Sequence, residues 1–278
     1  MKFGTFEVTT VTFGTFRLDG GAMFGSVPKN LWSKRIAADE ENCIPLAARC
    51  LLITAADRKI LVDVGLGDKW EKKQIDIFQI RNAPLNTLPF APSDITDIVL
   101  THLHFDHAGG ISRWRSPDVK EPELVYPQAR IFLQRANWEN AQSPSLRERA
   151  SYLPENVTVL KSANLSLLDG STEILPGLWV HRVDGHTIGQ QWIELRDGKR
   201  SIMYPTDLIP TSHHVPLPFT MGYDICAAAV MKEKEDFLRQ AIDRNALVVY
   251  EHDPLVAASS VALDERGHFV AKDPLTAV

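Results

Sequence analysis

The chain has 278 residues, 44% of them hydrophobic and 23% charged, with a net charge of −5. That is the composition of an ordinary globular protein near the upper size for a single core. The negative balance leaves no electrostatic footprint for nucleic acid, and no apolar run approaches the roughly 20 residues of a membrane span.

The N-terminal segment MKFGTFEVTTVTFGTF lacks an apolar h-region and a small-residue cleavage site, so it reads as a strand and not a signal peptide. LDGGAMFG (18–25) is Gly-rich and holds Met23 and Phe24, candidates for lining a substrate pocket, with a tight turn packed on the core as the alternative. Short apolar runs rich in β-branched residues follow. They are RCLLITA (49–55), KILVDVG (59–65), DIVLTH (97–102), RIFLQ (130–134), LWVHRV (178–183), QWIEL (191–195), SIMYPT (201–206) and ALVVYEH (246–252). Each has strand length, and most end at Gly, Asp or Pro. NWENAQ (137–142) and SLRERASYL (145–153) read as helices. The clearest helix is 230–245, where Val230, Phe237, Leu238, Ala241 and Ile242 form an apolar stripe. NAPLNTLPFAP (82–92) and HHVPLPF (213–219) are Pro-rich loops. Strands with helices between some of them indicate sheets covered by helices, in the α/β or α+β class. Cys43, Cys50 and Cys226 form neither a disulfide framework nor a metal pair. Inert buried thiols in a reducing cytoplasm are expected.

The chemistry is concentrated in THLHFDHAGG (101–110), which crowds three histidines and an aspartate into six positions beside a buried strand. Side chains alternate along an extended strand, so His102, His104 and Asp106 can share one side. On a helix, His102 and His104 would point about 200° apart. Further ligands sit just beyond other strands: His186 after LWVHRV, Asp207 after SIMYP and His252 after ALVVYE. Ends of different strands converging on one site is a common way to build an active centre. With His107 the set is five histidines and two aspartates. That is too many for one tetrahedral ion and suits two ions sharing a bridging carboxylate. No thiolate takes part, which disfavours a closed structural zinc site. His181 and His268 read as surface or satisfied core residues.

At these residues the sequence resembles the metallo-β-lactamase-fold hydrolase superfamily. THLHFDHAGG matches its His-x-His-x-Asp-His signature. GHTIGQ resembles its Gly-His-Thr-Pro-Gly-His turn, with Ile188 for proline and Gln190 for the second histidine, which is usually not a ligand. ILVDVGLGD resembles its Leu-Val-Asp-Thr-Gly strand, where Asp63 would orient a ligand group. The resemblance covers roughly residues 45–255. It implies an α+β fold, an αβ/βα sandwich of two mixed sheets flanked by helices, in a single domain over residues 1–278. It also implies His102, His104 and His186 on one metal, Asp106, His107 and His252 on the other, and Asp207 between them. True β-lactamases of the superfamily lack that bridging carboxylate. The sequence is most similar to N-acyl-homoserine lactonases, the quorum-quenching enzymes, and to methyl-parathion-type organophosphate hydrolases. It departs from the best-known lactonases at Pro210, where they carry a tyrosine that assists the substrate carbonyl. Tyr223, His213 and His214 are the candidates to contact substrate in its place.

The resemblance therefore implies a hydrolase that opens a lactone or ester with a hydroxide shared by two divalent metals and with Asp106 shuttling the proton. Zinc is the default metal, with iron, manganese or cobalt as alternatives. A phosphotriesterase, a thioesterase like glyoxalase II and a non-catalytic metal-binding protein are the rival readings. The expected partner is a small-molecule substrate, with no nucleic acid and no membrane, and a homodimer is the alternative to a monomer.

Overall fold

The computed structural model describes residues 1–278. The chain divides into two compact units, one of Met1–Thr15 and Ala48–Gly170, the other of Phe16–Ala47 and Ser171–Val278. No helix is long and apolar enough to cross a membrane.

One sheet has eight strands, ordered Lys2–Phe3, Phe6–Asp19, Cys43–Ala55, Arg58–Val62, Asp97–Val99, Arg130–Gln134 and Asn164–Leu168, with Arg81–Asn82 paired to Phe6–Asp19. It is mixed. Cys43–Ala55 and Arg58–Val62 form an antiparallel hairpin, and the next three steps, through to Asn164–Leu168, are parallel. Parallel strands are covered on both faces and read as continuous apolar runs, so DIV and RIFL show no alternation. Leu61, Ile98, Ile131 and Leu133 of its inner strands lie in the first core, beside Val11, Phe13, Cys50 and Leu52 of the same sheet. A separate hairpin pairs Ser112–Ser116 with Val119–Leu124.

The second sheet has seven strands, in order Thr172–Leu175, Leu178–Val183, Gln190–Asp197, Arg200–Tyr204, Leu247–Val249, Ala258–Leu263 and Phe269–Leu275. All neighbours are antiparallel except Arg200–Tyr204 with Leu247–Val249. The helix Ala227–Asp243 buries Val230, Phe237, Leu238 and Ala241, the expected stripe, in the second core. It also buries Lys234, which lies on the same face as the stripe, while Ile242 is only partly buried.

Two local expectations are corrected. The 145–153 segment is not a helix; only Arg149–Ser151 forms a 3₁₀ turn. The chain leaves helical conformation at Tyr152, which makes a β-bridge with His104. The Gly-rich segment 18–25 is a short helix, Gly20–Phe24, capped by the Asp19 carboxylate accepting from Ala22 N–H at 2.7 Å. Of the cysteines only Cys50 is buried; Cys226 is exposed and Cys43 intermediate.

Candidate metal centre

In the first unit, the strand Asp97–Val99 ends three residues before His102. His104 sits on extended backbone, and its ring centroid lies 4.5 Å from that of His102. Strand alternation stops there. Asp106 and His107 lie in a one-turn helix, Phe105–Ala108, so helical geometry, not the pleat, brings them beside the first pair. The His107 ring is 4.0 Å from that of His102 by centroids. All four side chains are buried.

A polar scaffold holds this segment. The Asp63 carboxylate accepts from Thr101 N–H at 2.8 Å and from the Thr101 hydroxyl at 2.7 Å, and it faces His107 Nδ1 at 3.1 Å. With Nδ1–H donated there, Nε2 of His107 carries the lone pair for a metal. Asn137 Oδ1 accepts from Leu103 N–H at 2.9 Å, and Asn156 Nδ2 donates to the Ala108 carbonyl at 2.9 Å. Lys69 Nζ donates to the carbonyls of Gly109 and Ser112. Burial pulls the Lys69 ammonium pKa down to about 8. Glu148, from the 145–153 segment, places a buried carboxylate oxygen 3.9 Å from His104 Nε2.

In the second unit, His186 follows the strand Leu178–Val183 in a tight loop. Glu233 accepts from the N–H groups of Asp184 and Gly185 at 2.8 and 3.0 Å. Asp207 sits in a 3₁₀ turn, Thr206–Leu208, just past the strand Arg200–Tyr204. Thr206 has φ of +52°, a left-handed conformation that costs a β-branched residue strain of the kind found at functional sites. The Gln190 amide oxygen accepts from the N–H groups of Asp207 and Leu208, both at 3.1 Å. The residue that replaces the family's second histidine therefore props the Asp207 turn.

The two Asp207 oxygens face different imidazoles. Oδ2 lies 3.1 Å from His186 Nε2, and Oδ1 lies 3.2 Å from His252 Nε2. The far nitrogens of both rings are engaged. His252 Nδ1 donates to the Ala47 carbonyl at 2.8 Å, and His186 Nδ1 meets Asp224 Oδ1 at 2.9 Å. Burial alone would lower the His186 pKa, but the Asp207 and Asp224 carboxylates more than reverse this and push it up to about 10. Carboxylates thus face both nitrogens of this ring.

The candidate substrate residues separate. Phe24 is stacked between Trp32 and His214, at centroid distances of 5.4 and 4.6 Å. His214 Nε2 donates to the Met23 carbonyl at 2.8 Å, and burial pulls its pKa down to about 3. Met23, Phe24 and His214 are buried, so they are packing residues here and offer no surface to a substrate. Tyr223 is 39% exposed, and His213 is partly exposed with its pKa lowered by burial. The Pro210 carbonyl accepts from His252 N–H at 2.9 Å, so the residue in the expected tyrosine's place steadies a proposed ligand.

The donor set is imidazole and carboxylate with no thiolate, which fits divalent metals of the zinc, iron, manganese and cobalt type. Within the first unit, His102 with His104, and Asp106 with His107, offer ligand atoms within 4.8 Å of each other. Within the second, Asp207 does so with both His186 and His252. Sequence reasoning missed Asp224, although it adjoins Tyr223 in a loop already singled out. It also missed the part played by Thr101, the first residue of the motif, and missed Asn137, Asn156 and Glu148, which carry no motif of their own.

The family model of the metallo-β-lactamase superfamily matches residues 44–252. An N-acyl homoserine lactonase of Bacillus cereus is 25% identical over 233 residues, 76% of this chain and 83% of that one. The N-acyl homoserine lactonase AiiA of Bacillus thuringiensis subsp. kurstaki is 29% identical over 225 residues, 73% and 80% of the two chains. The crystal structure of a probable metal-dependent hydrolase from Staphylococcus aureus superposes with a TM-score of 0.88 at 27% identity, covering 99% of this chain and 100% of that one. The dizinc quorum-quenching lactonase AidC shares the fold, with a TM-score of 0.77 at 21% identity over 98% and 96% of the chains. The α+β fold expected from the sequence is therefore the metallo-β-lactamase fold. The chain belongs to the metallo-β-lactamase superfamily, as a metal-dependent hydrolase close in sequence to the N-acyl homoserine lactonases.

Proposed function

We propose that residues 1–278 work as one two-metal hydrolase domain that opens a lactone or ester of the N-acyl-homoserine-lactone type. The observation that carries this reading is the division of the Asp207 carboxylate between His186 and His252. A carboxylate with each oxygen directed to a different imidazole supports a reading in which it is shared by two cations. His102, His104 and His186 would hold one metal, and Asp106, His107 and His252 the other, with Asp207 common to both. Zinc is the default.

The metals, when bound, would supply an acidified water, its pKa lowered from 15.7 towards about 7, and an electrophile for the substrate carbonyl oxygen. The chain's residues supply the rest. Asp63, Asp224 and the Ala47 carbonyl fix the rings of His107, His186 and His252. Asp106 receives the proton from the attacking water and returns it to the departing alkoxide, which stays tethered when the substrate is a lactone. Tyr223, which is exposed, and His213, which is partly exposed, contact the substrate. The free cysteines support a reducing, cytoplasmic setting.

The test is a panel of N-hexanoyl-homoserine lactone, a p-nitrophenyl ester, paraoxon and S-lactoylglutathione, run on protein whose metal content is measured by plasma mass spectrometry. Two metals per chain and dominant lactone or ester turnover are expected. Two metals with dominant paraoxon or thioester turnover would replace the substrate class. Light scattering on the same sample decides between monomer and homodimer.

A further inference from the structure

We infer that Asp224 is a positioning residue for His186, and that it ties the loop carrying Tyr223 to the metal-binding imidazole. The inference rests on the proposed reading of His186 as a ligand. Asp224 Oδ1 lies 2.9 Å from His186 Nδ1, and both side chains are almost fully buried. A carboxylate accepting from Nδ1–H fixes the tautomer, leaves the Nε2 lone pair outward and makes that nitrogen a stronger donor. The backbone repeats the connection. Ile225 N–H donates to the His186 carbonyl at 3.1 Å, and Cys226 N–H donates to the Gly185 carbonyl at 2.9 Å. The loop is therefore laid directly along the His186 turn.

Its other end is pinned as firmly. Lys234 is buried and donates to the carbonyls of His214, Pro216 and Phe219 at 3.0, 3.1 and 2.8 Å. Gly222 N–H donates to the Ala22 carbonyl at 2.7 Å. Tyr223, the exposed aromatic side chain, is one residue from Asp224. The side chain expected to meet the substrate and the one that orients a metal ligand thus share one rigid segment.

Asp224 Oδ2 also accepts from Met221 N–H at 2.8 Å, so a plain loop-capping role must be separated from positioning. The experiment compares wild type, Asp224→Ala, Asp224→Asn and Tyr223→Phe. Zinc affinity is read by chelator competition, the cobalt-substituted protein by visible absorption, and the metal-free protein by thermal melting. Asp224→Ala is expected to weaken one of two sites by about 10–100-fold and to shift the cobalt spectrum. Asp224→Asn, close in shape, carries the test should the alanine variant not fold. Tyr223→Phe is expected to leave metal affinity unchanged. Wild-type affinity and spectrum in both Asp224 variants would overturn the inference, as would a change confined to the metal-free melt. A wild type that binds no metal overturns the proposed function, and this inference with it.

Discussion

Asp63 Oδ2 lies 3.1 Å from His107 Nδ1, with both side chains fully buried. The same carboxylate takes two further hydrogen bonds from Thr101, so one acid fixes both the ring and the chain that leads into the motif. Asp63 achieves this from a φ of +58°, a region that Asp and Asn tolerate better than most residues. Asp63→Asn therefore isolates the charge, and a 10–100-fold loss of metal affinity is expected by chelator competition. Asp63→Ala adds unpaired buried groups around Thr101 and an unsuited backbone, and about 1–3 kcal/mol of stability is expected to go with them in a urea melt. Unchanged metal affinity in the Asn variant would show that the pair is only structural.

Asp207 makes a sharper prediction, because its two oxygens face His186 and His252 separately. Asp207→Asn is expected to hold at most one metal per chain and to lose on the order of 100–1,000-fold in kcat. Dialysis of wild type against a chelator should abolish hydrolysis, and added zinc, manganese or cobalt should restore it. Plasma mass spectrometry alongside the rate assay checks both. A variant with two metals and full activity would remove Asp207 from its proposed place.

The candidate site was legible where chemistry is packed into short sequence. Three imidazoles beside a buried strand have no bland explanation, and His186, Asp207 and His252 each follow a recognisable strand. The strands themselves were legible because β-branched runs end at turn residues; RIFLQ and LWVHRV match the structure residue for residue. What was not legible is set by tertiary contacts. Glu148 reads as a helix-former in SLRERASYL, yet its segment makes only one turn and Tyr152 pairs with His104. Lys234 sits on the apolar stripe of a helix, where a lysine is normally expected outside, and three loop carbonyls explain it only once the loop is placed. Phe24 and His214 look like pocket residues in Gly- and Pro-rich segments, but their stack is formed by residues nearly two hundred positions apart.

Two glycines near the proposed ligands are required by space. A Cβ at Gly109 would lie 2.1 Å from the Leu66 carbonyl oxygen, and one at Gly185 would lie 2.5 Å from the backbone nitrogen of Val230. Both obstacles are backbone, so neither can swing aside. Gly185→Ala is expected to cost about 1–3 kcal/mol or more by forcing the His186 turn away from the helix Ala227–Asp243. Gly109→Ala should do the same where the Leu66 loop meets the motif. Thermal melts of both variants in metal-free form check this; a melting temperature within about 0.5 °C of wild type, a shift of about 0.3 kcal/mol, would mean the backbone there yields easily.

Glu194 is expected to contribute to the acid sensitivity of the second unit. Its carboxylate is fully buried in the sheet, and burial alone would raise its pKa. Hydrogen bonds from His181, Arg196 and Ser201 more than reverse this and hold it at about 2, against an ordinary 4.5. Arg244 adds a cation 3.2 Å away. The folded state thus binds fewer protons than the unfolded chain between those two pH values. Stability from this group is fully present above about pH 4.5 and is lost as the pH falls towards 2. The shift corresponds to on the order of 3 kcal/mol at neutral pH. Glu194→Gln should therefore lower stability at pH 7 and flatten the decline of stability between pH 4.5 and 2, measured by urea unfolding at a series of pH values. His181 is also stacked on Trp192 at 3.9 Å, a contact that does not depend on the Glu194 charge. A Glu194→Gln curve parallel to wild type through that window would show that the acid limit lies in other carboxylates.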